Sequence, residues 1–393
     1  MTTARARNAV LLSFFLNGFG FATWLSRVPE ARGSLGLTNG QLGLLLLAIA
    51  AGSVLTLPTT GALINRWGAG TVVRGGVLFD VVGLIGAAVG AAVLESVPVT
   101  AVFLFLYGLG VGSWDVGMNV EGAAVERRGG RTIMPWFHAS FSLGTVTAAG
   151  IGALTTWAGV GMVTHLLAAA LLILVLAQAT TGWFLPRSAE AEPGEEDAEP
   201  QQAAWRAWLE PRTLLIGLMV FALAMTEGTA NDWLAIALID GYDVPHWLGV
   251  AGFACFVTAM TTGRILGPPL LDRFGRVPVL WSTMAAAAVG VLLLVYGGHP
   301  ALVVPGILLW GLGASLGFPV GMSAAADDEA HAAARVSVVS TIAYTAFLAG
   351  PPFLGFVADQ VGALHSLLVV AILLLPSALV VPAAREPRST GPR

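Results

Sequence analysis

Pro268-Pro269-Leu270-Leu271-Asp272-Arg273-Phe274-Gly275 closes a long apolar run, and its outline occurs at three other places in the chain. The other copies are Gly61-Ala62-Leu63-Ile64-Asn65-Arg66-Trp67-Gly68, Gly152-Ala153-Leu154-Thr155-Thr156-Trp157-Ala158-Gly159 and Gly355-Phe356-Val357-Ala358-Asp359-Gln360-Val361-Gly362. Each has a small or helix-ending residue, a polar residue four positions on and a glycine three beyond that. The intervals are 91 residues (61 to 152), 87 (268 to 355) and 207 (61 to 268). A bilayer crossing takes about 20 apolar residues plus a loop, so 91 and 87 residues each hold three crossings and 207 holds six with a linker. The chain reads as four copies of a three-helix unit. Because three is odd, adjacent copies are inverted in the membrane while the two halves run parallel.

Composition agrees. A 393-residue chain that is 56% hydrophobic and 11% charged cannot coat a water-facing surface, since soluble domains carry about 25% charged residues. Its solvent is the lipid bilayer. The 49 glycines and 21 prolines fit, both being commoner in membrane helices than in soluble ones. Length and intervening charge mark twelve spans, at 8–28, 38–63, 72–94, 98–122, 135–156, 160–185, 212–239, 247–271, 277–297, 300–325, 334–357 and 362–383. Arg5 and Arg7 precede the first, which runs too far without a small-residue cleavage site to be a signal peptide. The expected fold class is all-α and integral to the membrane, with twelve helices in two six-helix bundles.

Orientation follows from the arginines, which supply all 19 basic residues. With both termini cytoplasmic, sixteen of them fall in inner segments, as short cytoplasmic loops favour positive charge. Arg32 alone lies in an outer loop, Arg27 at the outer end of span 1 and Arg264 inside span 8. The expected location is the bacterial inner membrane. Residues 186–211 are polar, with six of the 23 acidic residues in the stretch 190–199 alone (Glu190, Glu192, Glu195, Glu196, Asp197 and Glu199), and bury too little to fold alone. They read as a cytoplasmic linker between bundles at 1–185 and 212–393. With so much of the acid in one segment, the net −4 says little about partners, and the scattered arginines form no nucleic-acid footprint.

At these residues the chain resembles the major facilitator superfamily, itself a standing example of nested inverted repeats. The superfamily's loop 2–3 signature appears as Gly267 followed by Asp272-Arg273-Phe274-Gly275-Arg276. The first-half copy departs from it, with Asn65 at the acidic position and Ala69-Gly70 where a basic residue would follow. A narrower resemblance, to the rhizopine-related MosC-like branch and distantly to fucose permease, runs through Trp24-Leu25-Ser26-Arg27-Val28-Pro29-Glu30, Asp115-Val116-Gly117-Met118-Asn119-Val120-Glu121-Gly122, Val125-Glu126-Arg127 and Phe137-His138-Ala139-Ser140-Phe141-Ser142-Leu143-Gly144. The resemblance implies that Asn65, Arg66 and Gly68, with Asp272, Arg273, Gly275 and Arg276, lock the cytoplasmic side. It also implies a substrate held between the halves.

Ionisable groups at membrane depth cost about 2.5–3.5 kcal/mol even on lenient scales, so they are functional candidates. Glu227 stands mid-span 7 with Asn231 one turn on and Trp233 beyond, and is a candidate proton site. Asp115 and Asn119 share a face of span 4, and Asp115 with His138 would make a proton relay. Arg264 needs a partner, with Asp115 or a substrate anion as candidates. Asp80 in span 3 reads as structural. Arg27 and Glu30, at i and i+3, are expected to pair as an outer latch. Asn17, Trp24, Asn119, Asn231, Trp233, Trp310 and Arg264 form the candidate substrate-binding set.

No two of the six histidines have metal-ligand spacing, and no zinc-protease or serine-hydrolase motif occurs. No enzyme, catalytic residue, cofactor or metal is expected, and the one cysteine, Cys255, excludes an internal disulfide framework. The expected function is secondary transport of a small polar or sugar-like solute by a monomer, coupled to protons. The alternative is drug or amphiphile efflux by the same superfamily. Efflux members carry a Gly-Pro-rich element in span 5, whereas here Gly144, Gly150 and Gly152 lack the proline and Pro351-Pro352 lie in span 11 instead.

Overall fold

The structure is a computed structural model that describes residues 3–129, 133–185, 206–327 and 331–386. Most of the expected linker, residues 186–205, lies outside the described residues. Among the described residues there is no strand, and twelve helices are long and apolar enough to cross a membrane. They are α1 (Thr3–Leu25), α2 (Asn39–Trp67), α3 (Ala69–Ala92), α4 (Val97–Gly129), α5 (Met134–Trp157), α6 (Met162–Thr181), α7 (Pro211–Tyr242), α8 (His246–Phe274), α9 (Arg276–Tyr296), α10 (Pro300–Ala325), α11 (Ala332–Val361) and α12 (Ala363–Ala384). A short helix, Val28–Ser34, follows α1, and α10 breaks at Ser315–Leu316.

The helices overrun the apolar spans at several ends. α4 reaches Gly129 and not 122, because Arg127 and Arg128 suit a helix C-terminus, where the backbone dipole is negative. Glu126 then accepts from the backbone N–H of Ile133 (2.6 Å) and Met134 (2.7 Å), so one turn of α4 caps the start of α5. Within each bundle, apolar surface gives no drive toward association in lipid, and close backbone approach takes its place. Gly83 of α3 lies against the backbone of Tyr107 on α4, leaving no room for a Cβ.

The four repeat glycines follow helix ends with positive φ, three directly after the last helical residue and Gly159 one residue later. Gly68, Gly159, Gly275 and Gly362 have φ of 80°, 70°, 76° and 85°. At Gly68 and Gly275 ψ is 153° and 169°, a region that only glycine enters without strain. The periodicity read from the sequence is therefore a periodicity of backbone conformation.

Contacts sort the chain into two units. One comprises Met1–Pro193, Leu234–Val257 and Pro351–Ala363, and the other Gly194–Trp233, Thr258–Gly350 and Leu364–Arg393. The end of α7, the start of α8 and the end of α11 thus group with α1–α6.

Candidate functional site

In the second unit, α7 and α8 bring together the two charges the sequence singles out. Arg264 Nη2 donates to both carboxylate oxygens of Glu227, 3.0 Å each, and its Nε approaches the carbonyl oxygen of Ser315 at 3.4 Å. The side chains are 29% and 17% exposed. This corrects the expectation that Arg264 would need Asp115 or a substrate anion. Its partner is Glu227, so the pair is neutral as a unit and its membrane cost falls. Asn231 and Asp232, farther along α7, are both half-buried. Asp232 is missing from the sequence candidates because Glu227 takes the role of the helix's acid. The signal that finds it is a second carboxylate within the same span.

In the first unit, Asn119 donates to the carbonyl (2.8 Å) and carboxylate (3.3 Å) of Asp115, as their spacing predicts. Asp115 does not bond to His138. His138 is exposed, with its ring edge-on to Phe14 at a centroid distance of 5.2 Å. The expected relay is not assembled. The reason is geometric, since His138 lies in the first turns of α5 and turns toward α1.

The aromatic part of the substrate set is corrected too. Trp24, Trp233 and Trp310 are 1%, 0% and 0% exposed. Trp310 donates its indole N–H to the carbonyl of Thr226 at 3.2 Å. Rings this buried serve helix packing and present no face to a ligand. Asn17 is likewise buried, with its amide nitrogen unpartnered among the described residues.

Arg27 and Glu30 pair at 2.5 Å, but they do not form a latch between halves. Arg27 also donates to His165 Nδ1 (3.0 Å), Thr155 Oγ1 (3.0 Å) and the carbonyl of Val160 (2.9 Å), while Glu30 accepts from Met162 N–H (3.2 Å). The network ties α1 to α5 and α6 inside one bundle. Its arginine can be buried because each of its three guanidinium nitrogens finds an acceptor.

A second polar cluster lies a few residues away, on the predicted outer face and within the first unit. Arg32 donates through Nη1 and Nη2 to the two oxygens of Asp240 on α7, at 2.5 and 2.6 Å, and through Nη1 to Asn39 Oδ1 at 2.8 Å. Asp359, at the end of α11, accepts from Asn39 N–H and Gly40 N–H, both 2.9 Å, and from Thr38 Oγ1 at 3.1 Å. A carboxylate on the first turn of α2 meets free N–H groups and the positive end of the helix dipole. The backbones touch here, because a Cβ on Gly355 would fall on the carbonyl of Asn39. Asp359 occupies the polar position of its repeat motif. The motif marks the residue, and only the three-dimensional pairing is hidden.

The signature residues lie mostly at the surface. Asn65, Arg66, Asp272 and Arg273 are exposed, and the Arg66 and Arg273 guanidinium groups lie over Trp67 and Phe274 at 5.8 and 5.1 Å. Arg276 donates to Asp327 Oδ1 at 2.7 Å and to Ser323 Oγ at 3.1 Å. Arg212 takes the other oxygen of Asp327, also at 2.7 Å. The expectation of one signature lock is thus corrected for Arg276, which fastens the starts of α7 and α9 to the end of α10 within the second unit.

Comparison with known proteins agrees with this architecture. The Major Facilitator Superfamily profile matches residues 10–328 and 248–393. An uncharacterized MFS-type transporter of Yersinia pestis is 33% identical over 368 residues, 93% of this chain and 92% of that one. Membrane protein MosC of Rhizobium meliloti is 28% identical over 369 residues, 92% of this chain and 86% of that one. Among solved structures, a mutant form of the nucleoside transporter NupG superposes with a TM-score of 0.81, covering 96% of this chain and 99% of that one at 14% identity. A mutant form of the Escherichia coli fucose:proton symporter FucP gives 0.67, with 98% and 100% covered at 14% identity. Identities this low speak to fold alone. With the profile spanning nearly the whole chain and a third of its residues shared with an MFS-type transporter, the protein belongs to the Major Facilitator Superfamily: it is a multi-pass membrane transporter and not an enzyme.

Proposed function

We propose that the protein carries a small polar, sugar-like solute across the bacterial inner membrane by alternating access, as a monomer coupled to protons. The observation that carries the reading is the Glu227–Arg264 pair. Two opposite charges stand in membrane spans, each still partly exposed. A purely structural pair would gain by being sealed or by replacement with apolar residues. A pair open to a polar solute offers both a carboxylate acceptor and a guanidinium donor, the groups that hydroxyl-rich ligands use. Asn231, on the same face of α7 as Glu227, adds an amide.

Alternation requires two faces that close in turn. The contacts among Arg32, Asp240, Asp359 and the start of α2 supply a closure at the predicted outer face. The halves at 1–185 and 212–393 are the bodies that would move. The bias of arginines toward one side supports cytoplasmic termini. Two fold neighbours, named as a nucleoside transporter and a fucose:proton symporter, handle ligands of the proposed kind.

The test is uptake by purified protein in proteoliposomes, using labelled nucleosides, hexoses and polyols with and without an imposed proton gradient. Saturable uptake that rises with an inward proton gradient and is lost in Arg264→Ala is expected. Uptake indifferent to both would refute the reading.

A further inference from the structure

Among the described residues, five carboxyl groups stand inside the spans, away from the helix ends, and the structure treats each differently. Glu121 is fully buried and accepts from the Leu185 backbone N–H at 2.6 Å. Glu227 is paired with Arg264. Asp115 is held by the Asn119 amide. Asp80 is 2% exposed, at a point where Gly110 brings the α4 backbone close against α3. Asp232 is half-buried and, among the described residues, makes no hydrogen bond or ion pair.

Helix geometry keeps Asp232 out of its neighbour's pair. Five residues separate it from Glu227, roughly 7.5 Å along α7 and about 140° around it. The nearest charges on its own helix are Glu227, committed to Arg264, and Asp240, committed to Arg32. Arg264 is the one charged residue well inside the adjoining span α8, and it is committed to Glu227. Its surroundings are polar but unused: the Thr229 hydroxyl, one turn back, and the Trp233 indole N–H are both buried without partners among the described residues.

We propose that Asp232 is the group that loads and releases the coupled proton, while Glu227 stays ionised against Arg264. This rests on the proton-coupled reading above. The physics is a matter of compensation. Glu227 is neutralised by a neighbour and gains nothing from a proton. Asp232 has no neighbour to neutralise it, and an uncompensated charge at this depth is costly. A bound proton removes that cost, and the partial exposure of the group gives the proton a way in and out. In the balanced step the carboxylate oxygen takes H⁺ from one side to become the acid, then returns H⁺ to the other side.

The test needs no solute, because the proton is the probe. Infrared difference spectra between acid and alkaline pH would be recorded on the full-length protein in lipid, in the carboxylic-acid C=O stretching region. A titrating acid band is expected in the wild type and in Glu227→Gln, absent in Asp232→Asn, and restored at a shifted frequency in Asp232→Glu, which also controls for folding. A band that survives in Asp232→Asn, or vanishes in Glu227→Gln, would overturn the assignment. A pH dye inside proteoliposomes separates this from the parent reading. If solute addition moves protons equally in wild type and Asp232→Asn, coupling stands and Asp232 falls. If no member of the solute panel moves protons in the wild type, both fall.

Discussion

Arg32 grips Asp240 with both terminal nitrogens, at 2.5 and 2.6 Å, across 208 residues of chain. The contact joins the connection between α1 and α2 to the end of α7, so it links the two halves of the sequence at the predicted outer face. It is bidentate but a third exposed on the carboxylate side, which keeps its strength modest.

Breaking it should favour the open outer face. Arg32→Ala or Asp240→Asn is expected to cost the closed state about 1 kcal/mol, a roughly fivefold shift in population. The double exchange Arg32→Asp with Asp240→Arg should recover part of that. Labelling of a cysteine placed at Ser34 by a membrane-impermeant maleimide, in a Cys255→Ser background, would read the change. Equal labelling rates in all variants would dissociate the pair from closure.

Asp359 should matter more than its exposure suggests. Asp359→Ala deletes three hydrogen bonds to the first turn of α2 and the charge that complements its dipole, worth about 1–2 kcal/mol together. Asp359→Asn keeps an acceptor and should lose less. The same labelling assay ranks the two, and an asparagine variant as open as the alanine one would contradict the dipole argument.

Removing Arg27 should harm the fold itself. With Arg27 1% exposed and four groups bonded to it, Arg27→Ala leaves His165 without its partner and Glu30 with only the Met162 N–H. A loss of about 3 kcal/mol or more is expected. Arg27→Lys should rescue little, because one ammonium cannot reproduce the planar fork. Thermal unfolding in detergent is the measure, and an unchanged midpoint in Arg27→Ala would show the network to be dispensable.

Glu210, just before α7, gives a pH dependence. A hydrogen bond from Arg335 (2.6 Å) chiefly holds its carboxyl below the usual carboxylate range, and Thr213 adds to this. A lowered folded value means the unfolded chain binds the proton more readily. The stabilisation is therefore complete above the ordinary carboxylate value and is lost as pH falls through the lowered one. Glu210→Gln should flatten the acid limb of melting temperature against pH and also lower the neutral plateau slightly. A mutant acid limb parallel to the wild type's would contradict this.

Much of the fold was legible because lipid leaves so few options. Twelve apolar runs and four repeat glycines suffice, and the glycines have a backbone reason, positive φ, that sequence periodicity records. The site was legible only in part. Glu227 and Arg264 announced themselves as charges in spans, and Asp115 with Asn119 as an i, i+4 pair. Their long-range partners did not, because nothing in spacing says that Arg264 sits beside α7 and not α4. Trp24, Trp233 and Trp310 misled for a related reason: a tryptophan in a span reads the same whether it packs between helices or faces a solute. Arg27 looked like a latch since its pairing with Glu30 is local, while its ties to Thr155, Val160 and His165 span more than 120 residues.

The central claim, that the outer face opens and closes around the Arg32–Asp240 and Asp359 contacts, is most directly tested by distance measurement. Spin labels at Ser34→Cys and Gln360→Cys, with Cys255→Ser, would be followed by pulsed electron paramagnetic resonance on protein in lipid. Two distance populations are expected, with the longer one growing when Arg32→Ala is added. One unchanging short distance with and without that substitution would contradict alternating access at this face.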